Sequence, residues 1–464
     1  MKFPAMKIVF HALLGSLVPL VLLAVGLHYF SPTALAAVRP ALTPTAPPVP
    51  DTLDLETAVK YAVEHSFTIQ QARERIREQE GLIVAVRAQA LPTLSLDGSY
   101  TRNDPGLGGG TPPTYQNWSI ALDVRQTLYA GGAITSALDA QRYARESALL
   151  DLRSTINQAL LGVRTKFYAV LFSREQIKVQ EQSVDLLQEQ LRNAQNRRAA
   201  GTVSDFEVLR AEVELANAQP PLITARNNYR LAIDELRQSL GYDNRTPDNL
   251  KKTPEFTGTL DVTPATYELQ SALDAARLHR PELQRLAKVE QARGAAIRNA
   301  QAGYRPEVAL VGGLEYKKAF GSNSFGDSAH GWTLGVQSSW AIFDGHLTDG
   351  RVAQARSQLA QARLARDEQT LAVEVEVRRA LSSLQEAAEL VAAASQVVRQ
   401  AEEALRLATV RNLAGTATQL DVLSTQVALT QARNNQLSAN YRHAVALATL
   451  RTSLGEADAY ASGN

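Results

Sequence analysis

The sequence predicts a mostly helical α/β chain, duplicated internally, with two long helical hairpins and four strands that can complete a membrane barrel only by sharing it among copies. Three observations predict this. One stretch occurs twice: Pro92 returns as Pro306, Trp118 as Trp332, Gly131 as Gly345, Gly201 as Gly415 and Gly241 as Gly455 (306 − 92 = 214). Apolar residues recur every seventh position over long segments of both copies. Two runs of apolar/polar alternation precede each of those segments. A repeat this long makes each copy one structural unit, in the order helix, strand pair, long helical hairpin.

Residues 1–36 are expected to be a signal peptide. Lys2 and Lys7 precede an apolar run from Ile8 to Leu27, and Ala34-Leu-Ala36 offers a small-x-small cleavage site before a Pro-rich segment, 37–52. The alternative is an uncleaved anchor. The chain carries a net charge of +1, and losing the two leader lysines gives −1 (+1 − 2), which provides no argument for nucleic acid. Cysteine is absent, so stability must come from packing or assembly, and no N-terminal cysteine is available for lipid attachment. After residue 36 no apolar run approaches the ~20 residues of a spanning helix. Any membrane crossing must therefore be a β-barrel.

The segment after Gly132 is expected to be one long helix, Ala133 to Ala200. Leu149, Ile156, Val163, Val170, Ile177, Val184 and Leu191 keep a seven-residue period, and Val377, Leu384, Val391, Val398 and Leu405 keep it in the second copy. A strict period of seven implies left-handed supercoiling against other helices. The partner positions are mixed, with Leu152, Ala159 and Leu187 beside Lys166, Ser173 and Gln180, which predicts a seam with one wet side. A helix of this length runs about 100 Å and must form a rod or a tube wall. Gly201 and Gly415 stand where a helix ends on a left-handed residue. Ser204 with Glu207, and Thr418 with Asp421, predict capping boxes, with Val203 and Val208 as a staple. Pro220-Pro221 predicts an interrupted, kinked return helix in the first copy, where the second has Asn434-Asn435.

The strands are expected at Thr93–Thr101, Trp118–Val124, Glu307–Tyr316 and Trp332–Ile342. Leu94, Leu96, Tyr100, Ile120, Leu122, Val124, Leu314 and Tyr316 fall on apolar faces; Ser95, Asp97, Ser99, Asp123, Arg125, Glu315, Thr333 and Gln337 fall opposite. A soluble hairpin packed on one side has the same alternation. Trp118, Trp332 and Trp340, the three tryptophans of the chain, all fall in these strands, as interfacial aromatics of membrane barrels do. The loops Arg102–Asn117 and Lys317–Gly331 are Gly-rich and long. Four strands cannot close a barrel, which needs about eight, and lipid does not tolerate an open edge. Several chains must then share one barrel.

With these features in place, the chain resembles the TolC-like outer-membrane efflux protein family along essentially its whole mature length. The resemblance rests on Leu91-Pro-Thr-Leu94 and Arg305-Pro-Glu-Val308, on Tyr129-Ala-Gly131 and Phe343-Asp-Gly345, and on the tips: Ala200-Gly-Thr with Glu207-Val-Leu209, and Ala414-Gly-Thr with Asp421-Val-Leu423. It implies a homotrimer in the outer membrane, with long coiled-coil hairpins forming a periplasmic α-barrel and four strands per chain entering a shared 12-stranded β-barrel. It further implies a passive exit duct for efflux or type I secretion, docked by a periplasmic adaptor and driven by an inner-membrane transporter of RND, ABC or MFS type. The implied adaptor contacts are Gly201, Thr202, Val203, Gly415, Thr416 and Ala417. Asp205, Glu207 and Asp421 are read as pore-entrance acids or helix caps. Some relatives carry a second acid one turn on; here Ser424 and Arg210 occupy those positions, which puts a double carboxylate ring in doubt. The expected division is 1–36, 37–52, a first repeat 53–241, an equatorial linker 242–264, a second repeat 265–455 and a tail 456–464.

No enzyme signature and no cofactor motif occurs. His65 and His279 are repeat counterparts (279 − 65 = 214), but neither has a histidine at i+4, so they read as packing or capping and not as a metal site. Without cysteine or methionine beyond residue 36, soft-ligand handling of copper or silver is disfavoured. Two other readings are a periplasmic adaptor, which needs one hairpin flanked by β-rich modules, and a soluble coiled-coil scaffold, which leaves the tryptophan-bearing strands unexplained.

Overall fold

A computed structural model describes residues 50–104, 106, 115–242, 252–260, 262 and 265–456. The expected signal peptide, the glycines of the Arg102–Asn117 loop other than Gly106, and nearly all of the tail lie outside them.

The helix expected ahead of each strand pair is two helices. Helices α1 (Leu55–His65) and α2 (Phe67–Ala88) meet at Ser66, and α5 (Leu269–His279) and α6 (Pro281–Gln301) meet at Arg280. The joints are extended, with ψ of 124° at Ser66 and 118° at Arg280. Pro281 drives the residue before it out of the helical region; Ser66 adopts the same break without a proline. The break has a partner that the sequence did not reveal. A Cβ on Gly241 would lie 2.5 Å from the His65 carbonyl oxygen, and one on Gly455 would lie 2.8 Å from the His279 carbonyl carbon. Each repeat thus closes by seating its last residue on its first joint.

Helices α3 (Ala133–Ala199) and α7 (Leu347–Leu413) each contain 67 residues, close to the predicted span. The returning helices are α4 (Asp205–Leu240) and α8 (Gln419–Ser453). Val163, Val170 and Val184 are buried, as are Val377, Leu384 and Val398, so the seven-residue period marks the packed seam. The expected wet side is only partial, because Ser173 is buried too. Helix α4 runs unbroken through Pro220-Pro221, so the expected interruption does not occur. Each proline removes one donor, and the helical ladder on both sides and packing against α3 carry the segment across. Phe167, Val170 and Leu171 of α3 form the main core with Ala58, Val59 and Ala62 of α1 and Leu236 and Leu240 of α4. There the linker is fastened as well: β1 (Thr52–Leu53) pairs in parallel with β4 (Glu255–Phe256). Arg174 donates to the carbonyl oxygens of Phe256 (2.6 Å) and Gly258 (2.9 Å).

The remaining strands are β2 (Thr93–Arg102), β3 (Gln116–Ala130), β5 (Glu307–Lys318) and β6 (Ser328–Ser339), in one antiparallel sheet ordered β2-β3-β5-β6. Strand β3 is longer than expected at both ends. Strand β6 starts and stops earlier, which leaves Trp340 beyond it; the indole N–H of Trp340 donates instead to the Tyr304 carbonyl at 3.2 Å. Register brings Leu94 opposite Val124, Tyr100 opposite Trp118, Leu122 opposite Leu314, and Leu314 opposite Trp332. The apolar face is exposed, with Leu96 at 71%, Val336 at 66% and Trp332 at 72%. The opposite face is polar and linked by its own side chains: Ser99 bonds Ser119 (2.8 Å), Arg125 pairs with Glu307 (3.2 Å), and Lys317 pairs with Glu315 (2.8 Å). Among the described residues no helix is long and apolar enough to cross a membrane.

Helix contacts give a linear order. Near the sheet it is α2-α3-α6-α7; toward the tips it is α4-α3-α8-α7. The open flanks of the helical layer, α2 and α4 on one side and α7 on the other, belong to the same repeats as the sheet edges β2 and β6.

Candidate functional site: the hairpin tips

Both tips are short links between antiparallel helices, Ala200–Ser204 and Ala414–Thr418. Gly201 and Gly415 take φ of +74°, the left-handed conformation a helix end requires there. In each tip the next threonine folds back. The Thr202 amide and hydroxyl both donate to the Arg197 carbonyl (2.9 Å each), and those of Thr416 donate to the Arg411 carbonyl (2.9 and 3.1 Å). These bonds satisfy carbonyls that the helix leaves open. Val203 and Ala417 follow at the turning point.

The two N-caps differ. Thr418 and Asp421 make the predicted capping box: the Thr418 amide and hydroxyl donate to the Asp421 carboxylate (2.8 Å each), and the Asp421 amide donates to the Thr418 hydroxyl (3.3 Å). These bonds from Thr418 hold the Asp421 carboxyl below the usual carboxylate range. In the first tip the Ser204 side chain makes no cap bond, so the capping box predicted for Glu207 is absent. Asp205 pairs with Arg198 instead. Val208 is buried with Leu191, Ala194 and Ala211, a packing set that does not include Val203. Ser424 donates to the Asp421 carbonyl at 3.0 Å, and the Arg210 guanidinium sits 5.1 Å from the Phe206 ring centre, so neither extends an acidic ring.

Sequence reasoning missed what joins the tips. Arg197 donates to Asn412 (3.2 Å), and Asn412 donates to the Ala417 carbonyl (3.0 Å), so the first hairpin bonds the residue that braces the second. Farther from the tips the α3–α8 seam is polar: Gln419 bonds Gln190 (3.0 Å), Thr430 bonds Ser183 (3.2 Å) and Arg433 bonds Gln182 (3.0 Å). Arg197 and Arg411 are repeat counterparts (411 − 197 = 214), but Arg197 pairs with a residue one position out of step, which a repeat alignment does not suggest. Phe206, Leu209, Leu413 and Leu420 are exposed beside the turns, an apolar rim that the cap motifs had masked. No group of three metal-ligating side chains occurs among the described residues. His65 bonds the Tyr61 carbonyl (3.1 Å) and stacks on that ring.

Of the three tryptophans, Trp118 is buried beneath Phe325 (5.7 Å between ring centres), whereas Trp332 and Trp340 are exposed.

Comparison with known proteins locates this arrangement. The family described as "Outer membrane efflux protein" matches residues 58–242 and 272–456, two stretches separated by the offset of the repeat (272 − 58 = 214; 456 − 242 = 214). The cobalt-zinc-cadmium resistance protein CzcC of Cupriavidus metallidurans is 26% identical over 426 residues, covering 89% of this chain and 93% of that protein. The alkaline protease secretion protein AprF of Pseudomonas aeruginosa is 25% identical over 350 residues, covering 74% and 71%. The Campylobacter jejuni CmeC outer membrane channel matches in fold with a TM-score of 0.74 at 15% identity, over 86% of this chain and 85% of that one.

Proposed function

The chain belongs to the outer membrane efflux protein family, and from that premise we propose how its parts work as a duct. It is an outer-membrane exit duct, a channel protein of the kind that serves efflux and secretion. Three copies share one 12-stranded barrel, β6 of each pairing with β2 of the next, while α7 of each meets α2 and α4 of the next to close a periplasmic tube. A head-to-tail contact that closes makes a ring. The single observation that carries this reading is that the edge strands of the sheet and the open helices of the helical layer come from the same two repeats. Exposed Val84, Ile223 and Leu231 on one flank, and Leu364, Leu371 and Val375 on the other, give each flank apolar surface to bury.

In this reading 1–36 is the leader, 37–52 a spacer, 53–241 and 265–455 the two repeats, 242–264 the equatorial linker and 456–464 the tail. Transport through the duct is passive; the energy comes from an inner-membrane transporter of RND, ABC or MFS type. A periplasmic adaptor meets the tips at Gly201, Thr202, Val203, Gly415, Thr416 and Ala417. Asp205, Glu207 and Asp421 set the potential at the entrance, where carboxylates in a narrow mouth concentrate cations. Trp332 and Trp340 mark the membrane interfaces, and Trp118 supports one from beneath Phe325.

Photo-crosslinkers at Thr202 and Thr416 in cells test the assignment. Capture of a hairpin-bearing adaptor at both sites, with the chain in the outer membrane as a heat-sensitive oligomer, is the expected result. A chain found soluble in the periplasm, or tips that never meet an adaptor, would overturn it.

A further inference from the structure

The two faces of the sheet differ in charge as well as polarity. Register puts the even-numbered residues of Leu94–Arg102, Gln116–Gln126, Val308–Lys318 and Ser328–Ser338 on the apolar face. That face carries no aspartate or glutamate. Its ionisable basic residues are Arg102, Lys318 and His330, all at the strand ends that lead into the β2–β3 and β5–β6 loops. The opposite end of the same face, at Gln126, Val308 and Ser338, is uncharged. The polar face is different: Asp97, Asp123, Glu307 and Glu315 outnumber Arg125 and Lys317.

We propose that Arg102 and Lys318 form a binding site at the outer rim of the barrel for the phosphate groups of an outer-leaflet glycolipid of the lipid A type. The proposal rests on the duct reading, which places the loops outside and the helices in the periplasm. Arg102 and Lys318 end the two strands that flank β3, roughly 12 Å apart, two strand spacings across and two residues along. An arginine fork and a lysine point charge are the two side chains suited to phosphate. Tyr100 stands opposite Trp118, level with Lys318 and one step below Arg102, and Trp118 lies 5.1 Å from Tyr316 between ring centres, a girdle at the level where acyl chains begin.

Lys318 is held for this role. It is 7% exposed, yet the bond described for its ammonium is to the Gln116 carbonyl, one acceptor for a three-donor group. Two acids lie in the adjoining loops and are turned to neutral loop donors: Asp327 accepts from the Ser322 hydroxyl, and Asp104 accepts from the Gly106 amide at 2.8 Å. A phosphate seated over this rim would meet the exposed Arg102 guanidinium with the Lys318 charge beneath it, which favours a phosphorylated lipid over a neutral one. The two cations on separate strands favour a lipid with two phosphates over a phospholipid with one.

Native mass spectrometry of the purified outer-membrane oligomer, titrated separately with diphosphoryl lipid A, monophosphoryl lipid A and phosphatidylglycerol, tests this. Diphosphoryl lipid A should bind about tenfold more tightly than phosphatidylglycerol, with monophosphoryl lipid A between them. The double variant R102Q/K318Q should lose that preference, and K317Q, which removes a neighbouring lysine from the polar face, should keep it. Equal binding of the three lipids, an unaffected double variant or an equal loss in K317Q would overturn the site. If the double variant does not assemble, R102Q alone decides, since Arg102 is exposed: about a threefold loss supports the site and no change refutes it. A chain absent from the outer membrane would refute the duct reading instead, which keeps the two failures apart.

Discussion

At the first hairpin tip the Ser204 hydroxyl leaves its helix start uncapped, and Asp205 turns to Arg198; at the second, Thr418 and Asp421 close a full capping box. The same inequality recurs at the other end of the repeat. Arg280, buried at the second joint, holds Glu376 (2.5 Å), Glu282 (3.2 Å) and the Ser453 carbonyl (3.2 Å). Its counterpart at the first joint is Ser66 (280 − 66 = 214). The duplicated halves therefore share a backbone path and differ in how it is held: at the first joint Gln70 and Arg73 donate to the carbonyls of His65 (3.4 Å) and Val63 (3.3 Å), whereas the second is tied by the buried, ion-paired Arg280. A tube built from such halves has approximate six-fold form but only three-fold energetics.

The largest test of that difference is at the joints. Arg280→Ala leaves two carboxylates without their cation and should cost about 3 kcal/mol, whereas Ser66→Ala should stay within about 0.5 kcal/mol; thermal unfolding of the assembled oligomer compares them. Equal costs would mean that the joints are held by packing alone. The next test separates tip from joint. Gly201→Ala and Gly241→Ala both force a side chain into the left-handed region, a strain of about 1–2 kcal/mol. Space around Gly201 is open, but a Cβ at Gly241 meets the His65 carbonyl at 2.5 Å. Gly241→Ala should therefore lower assembly yield and melting temperature more, and identical behaviour would contradict the packed-joint account.

A smaller effect separates the two caps. Thr418→Ala should cost about 1 kcal/mol locally and Ser204→Ala close to nothing. Hydrogen exchange at the amides of residues 419–422 should quicken about fivefold in the first case, with no change at 205–208 in the second. The smallest effect is with pH. The bonds from Thr418 depress the Asp421 pKa in the folded state. A depressed folded value contributes stability above the unfolded value and loses it as pH falls through the folded one. Exchange at the start of α8 should therefore rise below about pH 4 beyond any rise at the start of α4, and parallel curves would remove the cap difference.

Much of this was legible in the sequence because the repeat and the two periodicities encode backbone geometry directly. Gly201 and Gly415 announced the turns, Val163, Val170 and Val377 the seam, and Leu94, Leu122 and Leu314 the apolar face. Pro281 marks the joint at Arg280, but the one at Ser66 was not legible, since it has no proline and the apolar pattern runs through it. Pro220-Pro221 misled because a long, packed helix tolerates losing two donors. The Ser204 cap misled because a motif states which bonds can form, and Asp205 found Arg198 first. The Arg197–Asn412 bridge lay beyond sequence reasoning, because it joins residues that only the packing of two hairpins brings together.

The central claim is that one chain is a third of a duct. Native mass measurement of the protein extracted from the outer membrane counts the chains in each barrel. Three copies, falling to single chains on heating, is the predicted result. A stable monomer, or a two-chain barrel of eight strands, would contradict the account.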